Sequence, residues 1–353
     1  MGSQLLELDD KGLYCAAGDF HIDPWEPVPR AVITHAHADH SRPGSARYLI
    51  AEPSRHVSRW RLGEGARIET AAYGEPVTVN GVRVSFHPAG HIIGSAQVRV
   101  EYRGEVWVAS GDYKIEPDPT CAPFEPVPCH TFITEATFGL PIYRWPPQAE
   151  IFAGIDAWWR GNRDAGKASV LFAYALGKAQ RVLAGIDPSI GPIFVHGAVH
   201  HMNAMFAQGR GAGGGVTLPD TTYVSEAPED TDWSGALIIA PASARGTPWL
   251  RRFGRQSTAF TSGWMVVRGQ RRRRSVDRGF VLSDHVDWPG LMAALDATRA
   301  ERVLVTHGQV PSVVRYLREV KGMDAHGLDT PYATDPDTPD GDPPDGDEGG
   351  EGG

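Results

Sequence analysis

The sequence lacks long apolar runs, and no stretch approaches the roughly 20 uninterrupted apolar residues that a helix needs to cross a bilayer. Its first residues do not show the succession of basic, apolar and small residues that marks a secretory signal. Cysteine is scarce, and the three residues Cys15, Cys121 and Cys129 include no Cys-x-x-Cys spacing. This usage argues against a disulfide framework and against a thiolate zinc site. We therefore expect a protein with no membrane partner, located in the reducing cytoplasm.

The formal net charge of −9 is concentrated at one end of the sequence. Residues 333–353 carry eight acidic residues and no base, and without them the charge is −1. This segment is rich in proline and glycine and has no apolar residue after Ala333, so we expect a disordered acidic tail. A nearly neutral body can bind nucleic acid only where its bases are clustered. Two such clusters are Arg251, Arg252 and Arg255, and then Arg268 and residues 271–274.

Four candidate metal ligands follow an apolar strand within six residues. Residues 31–33 (Ala-Val-Ile) are typical of the end of a buried strand, and Thr-His-Ala-His-Ala-Asp-His comes directly after them. Imidazoles and a carboxylate are ligands that suit zinc. The four side chains cannot all reach one ion, so we expect His35 and His37 to share one while Asp39 and His40 turn toward a second. The alternative, a solvated histidine-rich loop, is disfavoured by ligands further along the chain.

Further candidate ligands occur where later strands are predicted to end. Alternating apolar residues around Asn-Gly at 80–81 and Arg-Gly at 103–104 predict two hairpins. His91 follows the first hairpin in a glycine-flanked loop, and Asp112 follows the second in Ser-Gly-Asp. His307 ends one more apolar run in Thr-His-Gly. Ligands at successive strand ends predict a metal site along one edge of a sheet.

Three more polar residues occupy comparable positions. Asp23 lies twelve residues before the first candidate ligand, where it can orient a metal-bound imidazole or cap the turn that Pro24 begins. The sequence leaves these two interpretations open. Glu135 follows an apolar pair, and a surface role and a functional role are about equally expected there. His285 repeats the arrangement of a strand followed by a histidine.

After a proline-rich break at residues 141–147 the pattern changes from hairpins to alternating helices and strands, which predicts an inserted α/β domain. Within it, residues 174–180 lie between a strand and a helix N-terminus, where free N–H groups favour a phosphate. His196 and His200 are four residues apart, but a glycine interrupts them and no acidic partner follows. For these two and His201 we favour a substrate-side or structural role over metal binding.

These motifs resemble those of a known superfamily. The His-x-His-x-Asp-His motif at 35–40, with His91 after a glycine and Asp112 in Ser-Gly-Asp, resembles the metallo-β-lactamase superfamily. Glu135 in Thr-Glu-Ala-Thr-Phe-Gly, His285 in Ser-Asp-His-Val-Asp and the last Thr-His-Gly narrow the resemblance to its β-CASP nucleases. That group includes the mRNA 3′-end cleavage factor, RNase J and Artemis-like enzymes. The whole run, with Gly-Asp-Phe-His-Ile-Asp-Pro-Trp and Thr-Ser-Gly-Trp-Met, looks most like the bacterial ligase-associated DNA exonucleases.

The resemblance implies an α/β fold in which a metallo-β-lactamase αββα sandwich carries an inserted β-CASP domain. The sandwich would occupy residues 1–145 and 266–332, the insertion 146–265 and the acidic tail 333–353. The implied cofactor is a pair of zinc ions, for which manganese can substitute.

Carried over position by position, the resemblance also assigns roles. His35, His37 and His91 would hold one zinc, and Asp39, His40 and His307 the other, with Asp112 bridging. Glu135 would pair with His285, which faces the scissile phosphate and protonates the leaving oxygen. The implied catalytic residues are His285, Glu135, Asp39 and Asp23. The implied substrate-binding residues are Tyr174, Lys178, Ser262, Gly263 and Trp264.

The implied activity is zinc-dependent hydrolysis of phosphodiester bonds. A DNA exonuclease that acts in repair, with a DNA ligase and a helicase as partners, is favoured. An RNA-processing ribonuclease is the alternative, because Glu at position 135 is closer to the RNA-processing and bacterial branches than to the Artemis branch. A nucleic-acid-binding scaffold with a dead site is disfavoured, since every ligand position is filled. A small-molecule hydrolase would leave the insertion and the motifs at His285 and His307 unexplained.

Overall fold

The computed structural model describes residues 4–209, 217–267 and 276–330. Two sequence predictions concern segments outside the described residues, namely the basic cluster at Arg268 and 271–274 and the acidic tail at 333–353. Backbone contacts divide the described chain into two compact units. The first contains residues 4–144, 208–209 and 284–330, and the second contains residues 145–207, 217–267 and 276–283.

The strands in chain order are β1 Glu7–Leu8, β2 Leu13–Cys15, β3 Phe20–Ile22, β4 Ala31–Ile33, β5 Tyr48–Ala51, β6 Ile68–Ala71, β7 Val77–Val79, β8 Val82–Pro88, β9 Ala96–Tyr102, β10 Glu105–Ala109, β11 Thr131–Ala136, β12 Ala168–Phe172, β13 Ile193–Val195, β14 Thr222–Tyr223, β15 Leu237–Ala240, β16 Gln256–Thr261, β17 Arg278–Phe280, β18 Arg302–Gly308 and β19 Asp324–Gly327. The α-helices are α1 Arg55–Leu62, α2 Gln148–Asp164, α3 Lys178–Gly185, α4 Gly197–Gln208, α5 Trp288–Thr298 and α6 Val310–Glu319. Within the described ranges, no helix is long and apolar enough to cross a membrane.

The first unit contains two mixed sheets. One has the order β1-β2-β3-β4-β5-β6, and the other has the order β19-β18-β11-β10-β9-β8-β7. Strands β7 and β8 are antiparallel across Asn80 and Gly81, and β9 and β10 are antiparallel across Arg103 and Gly104. All four turn residues have positive φ, the conformation that such two-residue turns require. Both predicted hairpins are therefore confirmed.

The two sheets of the first unit share one core. Val32 of β4 and Trp107 of β10 belong to the same cluster of buried apolar residues. Phe132 of β11 belongs to another cluster with Leu291 of α5, and Leu62 of α1 joins residues of the first sheet in a third. Helices thus cover apolar residues of both sheets, and the unit has the predicted α/β class.

The second unit is built on one parallel sheet with the order β14-β13-β15-β12-β16-β17. Helices α2, α3 and α4 alternate with its strands, as the sequence predicts. The unit continues past the end predicted at residue 265, because Thr261 of β16 pairs with Phe280 of β17. Strand β17 has the sequence Arg-Gly-Phe, and so short a strand carries no pattern that shows which sheet it joins.

Candidate metal centre and active site

Parallel strands bring several of the predicted residues to one edge of a sheet. Strands β10, β11 and β18 are parallel neighbours, so their carboxyl ends lie together. Asp112 follows β10, Glu135 is the penultimate residue of β11, and His307 lies near the end of β18. His91 and the segment that begins at His35 contact these residues from the ends of β8 and β4. The structure therefore places the predicted ligands at strand ends around one centre.

His307 occupies a β-bulge. Glu135 pairs with Thr306 and Ala136 pairs with Gly308, so His307 is the extra residue on its strand. Its φ of 56° lies in the left-handed region, which is costly for a residue with a side chain and often marks a functional position. The bulge directs the imidazole onto His40, with ring centroids 5.4 Å apart and planes 18° apart.

Four donor atoms converge on the first predicted metal position. Nδ1 of His37 lies 3.2 Å from Nε2 of His35 and 3.0 Å from Nε2 of His91. Oδ2 of Asp112 lies 3.5 Å from Nε2 of His35 and 3.7 Å from Nε2 of His91. Ligands about 2.0–2.1 Å from a tetrahedral zinc ion lie about 3.3 Å from one another. The spacing of these four atoms thus fits one zinc ion.

The second predicted position shares an oxygen with the first. Oδ2 of Asp112 also lies 3.5 Å from Nε2 of His40, and Oδ2 of Asp39 lies 3.5 Å from that same nitrogen. Nε2 of His40 is buried and makes no hydrogen bond with the described residues. A buried polar nitrogen without a hydrogen bond is costly unless something binds it, and a cation between the imidazole and the carboxylates would do so.

Polar groups behind the rings hold them in place. Nδ1 of His40 donates to Asp23 Oδ2 at 2.8 Å, and Asp23 also accepts from the Thr34 N–H at 2.8 Å and its hydroxyl at 2.6 Å. Nδ1 of His91 donates to the carbonyl oxygen of Asp284 at 2.8 Å. Because these bonds engage Nδ1, Nε2 is the nitrogen of each ring that faces the centre and can ligate a metal ion. Of the two interpretations left open for Asp23, its contacts match the orienting carboxylate.

Electrostatics keeps three of the rings ready to bind metal. Burial lowers the pKa of His35 and His91 well below the ordinary value, and neighbouring imidazoles lower it further. Burial likewise lowers the pKa of His307, with His40 adding to the effect. Neutral imidazole is the form that ligates a metal ion, so these residues need not lose a proton at neutral pH.

Neighbouring carboxylates raise the pKa of two other histidines, His40 and His285. Burial favours a lower pKa for His40, but Asp39 and Asp112 outweigh it and raise that pKa well above the ordinary value. For Asp112, burial favours a higher pKa, yet His40 and His285 hold it well below its usual range. Burial also opposes protonation of His285, but Glu135 and Asp112 raise its pKa to about 10.

His285 and Glu135 form a close pair beside the ligands. Nδ1 of His285 lies 3.0 and 3.1 Å from the two carboxylate oxygens of Glu135. Glu135 is 1% exposed and also accepts the backbone N–H of Tyr113 at 3.0 Å, so its carboxylate is held in place. The side chain of His285 is 17% exposed, and Nδ1 lies 4.0 Å from Oδ2 of Asp112. The buried carboxylate therefore holds a ring that solvent and ligands can reach.

The predicted substrate-binding residues lie in the second unit, after the carboxyl ends of β12 and β16. Tyr174 and Lys178 are in contact, with Nζ 5.0 Å from the ring centre, and Lys178 is only 2% exposed. Ser262 Oγ accepts the N–H of Trp264 at 3.3 Å, and Gly263 is buried between them. These five residues therefore share one edge of the parallel sheet.

The helix N-terminus near Tyr174 offers less to a phosphate than the sequence predicts. The N–H of Gly177 donates to Oε1 of Gln180 at 2.7 Å, and the N–H of Ala179 donates to the Tyr174 carbonyl at 2.9 Å. Two of the backbone donors expected to be free are thus already used. Sequence reasoning missed this because a glutamine three residues inside a helix does not reveal where its side chain folds.

Two other contacts were not predicted. Thr34 links Asp23 to the ligand segment through its N–H and hydroxyl. The segment before His285 is fixed by backbone acceptors, since Arg181 Nη1 donates to the Ser283 carbonyl at 2.7 Å and His91 donates to the next carbonyl. In the sequence, only the threonine next to the histidine motif could have indicated the first contact. The second could not be predicted, because every residue has a backbone carbonyl.

Known proteins are similar to the chain in sequence. No protein-family model matches the chain. The chain is 30% identical over 319 residues to a probable DNA ligase of Opitutus terrae, a match that covers 89% of this chain and 30% of that protein. It is 25% identical over 222 residues to the endoribonuclease ysh1 of Aspergillus fumigatus, covering 50% of this chain and 25% of that protein. The chain thus spans about a quarter to a third of the length of these relatives.

A solved structure has a similar fold. The crystal structure of a protein of unknown function from Enterococcus faecalis V583 superposes with a TM-score of 0.57 at 10% sequence identity. The match covers 86% of this chain and 80% of that chain.

The α/β fold and the cluster of histidines and an aspartate at strand ends are those expected of a metallo-β-lactamase superfamily protein. Together with the endoribonuclease and ligase relatives, the motifs place the chain among the β-CASP nucleases of that superfamily. The resemblance predicted from the motifs is therefore confirmed.

Proposed function

We propose that the chain hydrolyses phosphodiester bonds of nucleic acid at a centre that holds two zinc ions. One observation carries this proposal: the same oxygen of Asp112 lies 3.5 Å from Nε2 of His35 and 3.5 Å from Nε2 of His40. A carboxylate oxygen within reach of both ligand sets would allow two ions to be held side by side, as a two-metal phosphodiesterase site requires. We assign the first unit as the αββα sandwich and the second as the β-CASP insertion.

Zinc suits the donor set, which combines imidazole nitrogens with carboxylate oxygens, and manganese is the alternative. His35, His37 and His91 would hold one ion and Asp39, His40 and His307 the other, with Asp112 between them. Bound there, the ions would supply an activated water at neutral pH and Lewis acidity toward the phosphoryl oxygens.

His285 is the proposed proton donor to the leaving oxygen. Its Nδ1 is engaged by Glu135, so Nε2 is the nitrogen that would deliver a proton. The carboxylates raise the pKa of His285 to about 10, which keeps the ring protonated in the absence of cations. Cations held next to it would lower that pKa toward neutrality, where proton donation is most effective. Glu135 would orient the ring and stabilise its charge until the transfer.

We propose DNA as the substrate and degradation from a strand end as the mode of action. The probable DNA ligase matches 89% of this chain, which supports a role beside a ligase in DNA repair. A helicase partner and a cytoplasmic location remain predictions. The second candidate is RNA processing, favoured by the endoribonuclease that matches half of the chain.

Cleavage of linear and circular strands separates these functions. The purified chain, supplied with zinc or manganese, is incubated with end-labelled and circular single strands of DNA and of RNA. We expect loss of mononucleotides from linear DNA and no cleavage of circles. Cleavage of circular RNA would support the endoribonuclease instead. If neither polymer is cleaved by metal-loaded protein, the proposed activity is wrong.

Metal content provides an independent test. Elemental analysis of the purified chain should give two ions per chain, and Asp112→Ala should lose most of both, because the bridging oxygen serves both sets. His326→Ala is a matched control, since His326 is exposed, pairs with Asp324 and belongs to neither candidate ion-binding group of the described residues. One ion or fewer in fully loaded unaltered protein would contradict the two-metal site.

A further inference from the structure

Three histidines of the second unit have no place in the metal site. Among the described residues, two groups of histidines and acids have the spacing to hold an ion, and neither includes His196, His200 or His201. His196 directly follows β13, and the N–H of His200 donates to its carbonyl at 2.9 Å as α4 begins. They therefore lie at the carboxyl edge of the parallel sheet, the edge at which open α/β sheets bind ligands.

Two of these histidines contact aromatic side chains. The ring of His196 packs edge-on against Trp249, with centroids 5.0 Å apart, and the ring of His200 stacks on Tyr223 at 5.1 Å and 21°. The two pairs are adjacent, because a Cβ on Gly197 would lie 2.9 Å from the Tyr223 hydroxyl. All four rings are partly exposed. Partly exposed aromatic rings are surfaces on which successive unpaired bases stack.

Positive charge lies beside the rings. The guanidinium of Arg252 lies 5.7 Å from the centre of the Trp249 ring, within the range of a cation–π interaction. Arg251 and Arg252 are both exposed, and the side chain of neither makes a hydrogen bond or ion pair with another described residue. Because neither guanidinium forms an ion pair among the described residues, both charges can contact phosphates.

We propose that these residues form a second binding surface, specific for single-stranded nucleic acid. We call His196, His200, Tyr223, Trp249, Arg251 and Arg252 the ring–arginine patch. Rings would stack on bases while the arginines contact phosphates, a combination that suits unpaired strands because duplex bases are already stacked. A protein partner would instead favour a contiguous apolar surface. The inference rests on the proposed function and deepens it by giving the second unit a contact surface for the nucleic acid substrate.

Binding to a strand that resists cleavage tests the patch. The full chain with its metals is titrated with a fluorescent phosphorothioate oligothymidine about 20 nucleotides long, enough to span several stacked bases. We expect Trp249→Ala to weaken binding about fivefold or more, and Trp249→Phe to retain most of the affinity. Arg252→Ala should reduce the slope of log affinity against log salt by about 0.7, the value for one lost phosphate contact on a single strand.

The chain offers a matched control. Trp60 is 41% exposed, and the guanidinium of Arg61 lies 5.2 Å from its ring centre, so the same chemistry occurs in the first unit. Trp60→Ala should leave affinity and salt slope unchanged. Arg61 is kept in this control, because its Nε donates to the Ala36 carbonyl of the ligand segment at 3.2 Å. Trp249 also packs on Phe253, with ring centroids 4.8 Å apart, so its removal can disturb the fold. Arg252→Glu replaces an exposed side chain instead and tests the patch with that packing intact.

Three outcomes decide the inference. Selective losses in the Trp249 and Arg252 variants support it, whereas unchanged affinity in both, or an equal loss in the Trp60→Ala control, overturns it. Nuclease activity of the unaltered chain is measured separately. Selective binding losses in a chain that cleaves no polymer would retain the patch and overturn the proposed function. Cleavage by the unaltered chain, together with an affinity that the patch variants do not change, would support the proposed function and overturn the inference.

Discussion

At the scale of single residues, the candidate ligands are oriented by other groups before any ion binds. Asp23 holds His40, the Asp284 carbonyl holds His91, and Asp112 faces both ligand sets. Fixing a ring in advance lowers the conformational entropy lost on metal binding and selects the tautomer that ligates. The centre therefore depends on a network of side chains larger than its ligands.

Substitution of His285 should separate proton donation from metal binding. His285→Ala is expected to keep both ions and nearly normal substrate binding, while the single-turnover rate falls about 10²–10⁴-fold, the usual contribution of a general acid. His307→Ala should lose metal from the second position, which lowers binding and chemistry together. The measurement is metal content beside single-turnover rates for both variants. Equal loss of metal would show that the roles assigned to the two residues are wrong.

Replacing the partner of His285 should have a milder effect of the same kind. Glu135→Gln retains a hydrogen-bond acceptor for Nδ1 of His285 but removes the charge that stabilises the protonated ring. We expect a smaller fall in single-turnover rate than in His285→Ala, with metal content unchanged. A variant that loses metal instead would assign Glu135 to the metal centre, where its carboxylate lies near Asp112 and His285.

At the scale of elements, the turn after β10 decides where Asp112 lies. Gly111 has a φ of 56°, and a Cβ there would lie 2.7 Å from atoms of the Thr34 side chain. Thr34 in turn donates to Asp23, the residue that holds His40. Close approach of two strand ends at this glycine thus connects the ligand segment after β4 with the bridging aspartate.

Gly111→Ala is expected to disturb the metal centre through this contact. A left-handed alanine costs about 1 kcal/mol or more in stability, and the clash with Thr34 should add to it and lower metal content. Gly104→Ala is the matched control, because Gly104 has a φ of 85° but nothing within 4 Å of the position of a Cβ. Thermal unfolding and elemental analysis of both variants give the comparison. Equal stability loss with full metal content in both would refute the role of the close approach.

At the scale of the whole molecule, each unit places its candidate functional residues at the carboxyl edge of a sheet. The first unit brings the candidate ligands to the carboxyl ends of β10, β11 and β18, and the second places polar and aromatic residues at the carboxyl edge of its parallel sheet. Loops beyond strand ends are where α/β proteins place their chemistry, because the strands themselves are committed to the core. Both units follow this rule with different residues.

Deletion of residues 334–353 should leave the body intact. These residues offer no apolar surface to bury, so removing them should change the free energy of unfolding by less than about 0.5 kcal/mol. Loss of their negative charge should tighten binding of single strands slightly at low salt, and the difference should vanish as salt screens it. Thermal unfolding and oligothymidine titrations at two salt concentrations check both effects. A truncated chain that misfolds or loses activity would contradict the prediction.

Much of the fold could be predicted because local patterns carry it. Asn80-Gly81 and Arg103-Gly104 specify turns through positive φ, and alternating apolar residues specify the strands on either side. The helical spacing of Ile151, Ile155 and Trp159 predicts α2, and all three residues are buried. Such signals depend on residues that are close in the sequence, so they can be recognised without knowledge of tertiary contacts.

The sequence by itself determined which residue types are available and that they follow strand ends. Tertiary structure decided how they meet: it put His307 in a bulge, used one oxygen of Asp112 for both ligand sets, and paired the last strand of the second unit with Thr261. Contacts such as that of His91 with the Asp284 carbonyl join residues 193 positions apart. No local pattern encodes them, because they depend on the register of strands and on which backbone groups the packed core leaves within reach.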